Sequence, residues 1–164
     1  MGHEETISTP VPGYTCVGSV VDQTNIVAIS IIRAADSMLD TFMSVVPEAS
    51  VGKILIQRDE ETAEPKLFYS KLPSLVGKRV ILLDPMLATG GSAKCAIEVL
   101  LQNGATIDKI MFVSVLGCPE GAAYLQNAFP DLTIFTGKLD GGLTSKKYIW
   151  PGLGDFGDRF FGTV

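Results

Sequence analysis

Hydrophobic residues gather in five short, continuous runs along the chain, at residues 26–32, 53–57, 79–83, 109–116 and 132–136. They are rich in Ile, Val and Leu and do not alternate with polar residues, as expected of strands buried on both faces of a parallel sheet. Helical periodicity fills several of the intervals. Residues 35–46 place Met38, Leu39, Phe42, Met43 and Val46 on one face, and Pro47 ends the pattern. Residues 92–103 place Ala93, Ile97, Leu100 and Leu101 on one face, with Gly104 as a natural C-terminal cap. Residues 119–129 begin with a proline in the first turn and stop before Pro130. Strand and helix alternate, so the predicted class is α/β, a central parallel sheet flanked by helices. One segment breaks the alternation. The charged stretch 58–66 is followed by Leu67, Phe68 and Tyr69, which predicts a protruding flap or hairpin.

Residues 1–25 carry Pro10, Pro12 and Gly13 and little periodicity. They are expected to form an N-terminal arm, and residues 26–164 a single domain. No apolar run approaches the roughly 20 residues needed to cross a bilayer. The N-terminus has neither the basic start nor the apolar stretch of a secretory signal, so a cytoplasmic location is expected. The 13 Lys and Arg against 18 Asp and Glu leave a net charge of −5. That argues against a nucleic-acid or anionic-membrane partner, since both need a basic face. It leaves room for a small anion in one local pocket. Cys16, Cys95 and Cys118 have no metal-ligand spacing and read as buried thiols. His3 is the only histidine, in the expected arm, so imidazole acid–base chemistry and histidine-ligated metal are essentially closed off.

The most informative segment runs from Arg79 to Ala93. A buried strand ends at Asp84, the loop Pro85-Met86-Leu87-Ala88-Thr89-Gly90-Gly91-Ser92 follows, and a helix begins. Ligands of open α/β sheets sit beyond the carboxyl ends of the strands. Gly90 and Gly91 let backbone N–H groups approach a ligand, Thr89 and Ser92 add hydroxyls, and the helix N-terminus adds positive potential. Those parts suit a monophosphate, and Asp84 suits sugar hydroxyls. The plainer alternative is an ordinary strand–loop–helix turn with Ser92 as the helix N-cap. A Walker loop is excluded by the missing Gly-Lys-Ser/Thr ending. Gly152-Leu-Gly-Asp-Phe-Gly157 fits GxGxxG, but the residues after it are too few to complete a dinucleotide unit with a helix and an acidic residue. Its Pro-Gly turn, flanked by Tyr148, Trp150 and Phe156, either holds a flat heterocycle or seals the core. Arg33, at the end of the first strand, is placed to bind phosphate oxygens bidentately or to cap a surface. Arg58 and Lys66 either bind a ligand anion or, with Asp59, Glu60 and Glu61, form a solvated charged face of the flap.

Taken together, these segments resemble the uracil phosphoribosyltransferase family. Residues 84–92 are similar to its phosphoribosyl pyrophosphate (PRPP) loop. The tail Tyr148-Ile-Trp-Pro-Gly-Leu-Gly-Asp-Phe-Gly-Asp-Arg-Phe-Phe-Gly-Thr163 is similar to its uracil-reading segment. Residues 54–66 and Ser30-Ile-Ile-Arg-Ala-Ala35 are similar to its flap and pyrophosphate loop. The resemblance implies a type I phosphoribosyltransferase fold with a C-terminal hood, joining uracil and PRPP to give UMP and pyrophosphate. It implies that Arg33, Arg58, Asp155 and residues 84–92 contact PRPP. It also implies that Ile149, Gly154, Asp155 and Phe156 hold uracil, and that Arg58, Asp84 and Asp155 are catalytic. Magnesium (Mg2+) would arrive with PRPP near Asp155 rather than on protein ligands. A homodimer is implied, and GTP as an effector in some members, with no motif here to place it. Two departures stand out. Ala35 occupies a position where the family has Gly, a cost of roughly 1 kcal/mol if φ there is positive. The N-terminal portion is shorter than in typical members. Both motivate a second reading, a catalytically weak or inactive paralogue that binds UMP or PRPP, or a truncated fragment of the enzyme.

Overall fold

The computed structural model describes residues 2–58 and 65–163, with the backbone alone for Arg58. The core strands lie where the continuous apolar runs predict. In chain order the elements are β1 (His3–Ser8), β2 (Thr15–Val20), β3 (Ile26–Ile32), α1 (Asp36–Val45), β4 (Ser50–Arg58), β5 (Pro65–Lys71), β6 (Arg79–Leu83) and β7 (Met86–Leu87). There follow α2 (Gly91–Gln102), β8 (Ile110–Gly117), α3 (Pro119–Ala128), β9 (Thr133–Leu139), β10 (Gly142–Leu143), β11 (Ile149–Trp150) and α4 (Phe156–Phe161).

The main sheet runs β5-β4-β3-β6-β8, and β8 pairs further with both β7 and β9. Every pairing in it is parallel except β4–β5. That exception is the flap, whose strands form a hairpin with Arg58 opposite Pro65. The flap residues Asp59, Glu60 and Glu61 lie outside the described residues. Helices cover both faces. Met38, Leu39, Phe42 and Met43 of α1 pack with Ala28, Leu83 and Val113 on one face. Ala93, Ile97 and Leu100 of α2 and Leu125 of α3 pack with Ile29, Leu82 and Phe112 on the other. Met38, Phe42, Met43 and Val113 are partly buried and the others almost wholly withdrawn from water, and full burial is worth about 1.5–3 kcal/mol for each large side chain.

Three features add to or depart from the sequence expectation. Within residues 1–25, expected as an arm, β1 and β2 pair antiparallel from His3–Val20 to Ser8–Thr15. This hairpin stands away from the core with most residues exposed, so both of its faces tolerate polar residues and no alternation marks it. Cys16 lies in it and is exposed, whereas Cys95 is half-buried and Cys118 buried. Burial pushes the thiols of Cys95 and Cys118 above their ordinary range. Finally, the GxGxxG tail does end in a helix, the six-residue α4 capped by Asp155. Among the described residues no helix is long and apolar enough to cross a membrane.

Candidate active site

The carboxyl ends of β3 and β6 and the β7 turn open into one cavity of about 370 Å³, closed from above by the C-terminal tail. Its floor is the segment after β6. Asp84 is half-buried there, and its Oδ1 accepts a hydrogen bond from Met86 N at 3.3 Å, an Asx-type turn that starts the loop. The Pro85 carbonyl accepts from Val115 N and Leu116 N at 3.1 and 3.0 Å, pinning the loop to β8. Met86, Leu87, Ala88, Gly90 and Ser92 line the wall.

The N-terminus of α2 decides what this floor can hold. Its N-cap is Gly90, at φ 80°, a residue with no side chain to cap the helix. Ser92 is therefore not the N-cap of the plainer reading. Thr89 Oγ1 accepts from Gly91 N at 3.5 Å, at the long end of hydrogen bonding. The first-turn N–H groups of a helix have no intrahelical acceptor, so here they face the cavity with the positive end of the helix dipole. A side chain at position 90 would also meet Tyr124 Cδ1 at 2.9 Å, so both conformation and space require glycine. Such an end is a ready site for phosphate.

The roof is built by the tail. Gly142 pairs with Trp150 and Leu143 with Ile149, so β10 and β11 form a small ribbon. The Asp140 carboxylate accepts from Gly152 N at 3.0 Å and fixes the following turn, which contains a cis Trp150–Pro151 bond. Position 152 admits only glycine, because its φ is 52° and an added Cβ would lie 2.0 Å from the Ile149 carbonyl oxygen. Ile149, Gly154, Asp155 and Phe156 all reach the cavity wall. The Asp155 side chain caps α4 by accepting from Asp158 N at 2.9 Å.

Arg33 is placed differently. It is absent from the cavity wall, and its guanidinium sits on Asp158 at the rim, at 2.8 Å. Arg58 ends β4 opposite Pro65. Pro65 in turn neighbours Gly91, where an added Cβ would lie 3.6 Å from Pro65 Cγ. The Arg58 backbone is thus brought to the flap edge beside the loop; its side chain lies outside the described set. Lys66, also in the flap, holds its ammonium 5.8 Å from the Phe68 ring centre. Ala35 is buried and adopts φ −72°, so no glycine conformation is demanded there.

Several contributors were not singled out from sequence. Lys146 and Lys147 line the mouth, and Lys147 is the only non-glycine residue with positive φ among those described, at 63°. Their adjacency to the Tyr148 tail was the available signal. Gly121 of α3 had none: an added Cβ would lie 2.2 Å from the Ala88 carbonyl oxygen, so α3 presses on the loop from beneath. Cys118 supports the same carbonyl, its Sγ donating at 3.0 Å.

Comparison with known proteins agrees with this geometry. Residues 2–163 match the family model described as uracil phosphoribosyltransferase. The chain is 48% identical over 162 residues to the uracil phosphoribosyltransferase of Dictyostelium discoideum, covering 98% of this chain and 74% of that one. It is 52% identical over 137 residues to that of Saccharomyces cerevisiae, covering 83% of this chain and 63% of that one. It thus spans about three quarters of the first relative and just under two thirds of the second. Among solved structures, a protein from Aquifex aeolicus superposes with a TM-score of 0.88 at 38% identity, over 100% of this chain and 77% of that one. A purine phosphoribosyltransferase from Pyrococcus horikoshii shares the fold at 17% identity, with a TM-score of 0.53 over 73% of this chain and 80% of that one. On the matching sheet, loop and tail, the chain belongs to the uracil phosphoribosyltransferase family.

Proposed function

We propose that the protein transfers the phosphoribosyl group of PRPP to N1 of uracil, forming UMP and releasing pyrophosphate. The observation that carries this reading is the uncapped N-terminus of α2, which opens into the same cavity as the tail residues Ile149, Gly154 and Phe156. One end of that cavity suits a phosphate and the other a flat base with polar edges. In this reading the N–H groups of residues 90–93 and the hydroxyls of Thr89 and Ser92 cradle the 5′-phosphate, and Asp84 accepts from the ribose hydroxyls. Phe156 lies against the pyrimidine ring while main-chain groups of Ile149 and Gly154 read its edge. Cytosine reverses donor and acceptor at the 4-position and N3, so fixed backbone groups reject it.

In the reaction the bond from the anomeric carbon to pyrophosphate breaks, the bond to N1 forms, and N1 gives up its proton. Positive charge develops on the sugar in between. The chain needs to orient two substrates and stabilise separating charge rather than supply a nucleophile. Among the described residues no three metal-ligating side chains cluster. In this reading magnesium would arrive with PRPP, bound through its oxygens, and Asp84 and Asp155 are the cavity carboxylates of suitable hardness to meet it. Arg58, at the flap edge, and Lys146 and Lys147, at the mouth, supply cations for the pyrophosphate. Closure of the flap over the loop would exclude water that otherwise hydrolyses PRPP. The catalytically silent alternative rested partly on Ala35, and its negative φ removes that ground.

The test is side-by-side turnover with PRPP and magnesium. Uracil is expected to be converted and cytosine, hypoxanthine and orotate are not. Folded protein that binds UMP yet turns over none of them would establish the silent paralogue instead.

The same reading extends to a homodimer. A lone two-stranded hairpin is marginal in water, yet Val17 of β2 and Tyr14 of the β1–β2 connection have 67% and 69% of their surface open. A second copy covering it accounts for its persistence. Sedimentation at micromolar concentrations is expected to give twice 17.5 kDa, and a monomer at all concentrations would contradict it.

A further inference from the structure

The β3–α1 loop and α4 are more than 120 residues apart in sequence and meet at the rim of the cavity. Ala34 and Gly157 both line the wall, and a Cβ added at Gly157 would lie 3.8 Å from that of Ala34. Immediately outside them, Arg33 Nη2 donates to Asp158 Oδ1 at 2.8 Å and to Thr163 Oγ1 at 3.0 Å. The Thr163 hydroxyl donates in turn to Asp158 Oδ1 at 2.6 Å. The Phe161 ring lies 5.2 Å from Arg33 Cζ. One nitrogen of the fork is thus held by a carboxylate and a hydroxyl, and one face by an aromatic ring. Nε and Nη1 have no partner among the described residues. The arrangement leaves the Nε and Nη1 hydrogens of a fixed, permanently charged group as donors to an anion.

We propose that Asp158, backed by Thr163, is a positioning residue that orients Arg33 toward the pyrophosphate group of PRPP. It thereby makes the base-binding tail part of the pyrophosphate site. This rests on the proposed function above. The Thr163 hydrogen bond and the Arg33 cation hold the Asp158 carboxyl below the usual carboxylate range, so it is ionised at neutral pH. An exposed ion pair contributes little to stability, so the contact has small structural value of its own. A freely rotating arginine would instead have to be ordered each time the ligand binds, at a cost to affinity.

The experiment compares wild type, Asp158→Asn, Arg33→Ala and the double variant for KM of PRPP, KM of uracil and kcat, with calorimetric titration of PRPP in magnesium buffer. Asp158→Asn is expected to raise KM and the dissociation constant for PRPP about five- to tenfold, with the uracil KM and kcat within about twofold. In the Arg33→Ala background the same substitution is expected to change PRPP affinity by less than about twofold, because its route of action is gone. An active wild type whose PRPP affinity is untouched by Asp158→Asn overturns the positioning role while leaving the proposed function standing. So does an equal loss in the presence and absence of Arg33. Wild-type protein without PRPP binding overturns both.

Discussion

Replacing Asp84 with Asn is expected to lower PRPP affinity about tenfold to a hundredfold and to leave the fold intact. The carboxylate ends β6 at the floor of the cavity and starts the loop by accepting from Met86 N. An Asn side chain keeps an oxygen at that position, so the turn survives. What it loses is charge. Hydrogen bonds from ribose hydroxyls to a carboxylate contribute about 1.5–3 kcal/mol each, and 1.4 kcal/mol is a factor of ten in affinity. Melting temperature and PRPP affinity measured on one preparation decide the matter. A destabilised variant that binds PRPP normally would reduce Asp84 to a turn-former.

Gly121→Ala is expected to lower kcat/KM for PRPP about a hundredfold although position 121 never touches ligand. Alanine is favoured over glycine in a helix by about 1 kcal/mol. Here the added methyl would sit 2.2 Å from the Ala88 carbonyl oxygen, a rigid backbone atom of the ligand loop. Relieving that overlap moves α3 or the loop by about 1 Å, and overpacking of this sort costs about 1–3 kcal/mol. A displacement of that size in a positioning element can cost about 100-fold in rate. The melting temperature is expected to fall by only a few degrees, since 1 kcal/mol corresponds to about 2–4 °C at this chain length. Full activity would mean the loop yields without consequence, and α3 would then be a spectator rather than a support.

Much of the frame was legible because burial writes directly into sequence. β3 and β6 are the central strands, water-excluded on both faces, and continuous Ile, Val and Leu runs mark their limits. The same holds for the apolar faces of α1 and α2. The loop was legible through its glycines, since Gly90 at φ 80° leaves no other residue comfortable there. The β1–β2 hairpin was not, because a two-stranded ribbon exposed on both sides imposes no pattern. Contacts between distant segments left no local signal either. Gly121 beneath Ala88, Asp140 holding Gly152 and Asp158 holding Arg33 are visible only once the chain has folded. Ala35 shows the converse: the sequence departs from the family there, and only the backbone angle reveals that the change is tolerated.

The central claim is that a single cavity holds a phosphate at the α2 end and a pyrimidine under the tail. The most direct measurement is a crystal structure with UMP bound. The account predicts phosphate oxygens about 2.7–3.2 Å from the main-chain N–H groups of residues 90–93, ribose hydroxyls on Asp84, and the base against Phe156 with its edge on Ile149 and Gly154. UMP seated in the reverse sense, with its base at the start of α2, or bound outside this cavity, would contradict it.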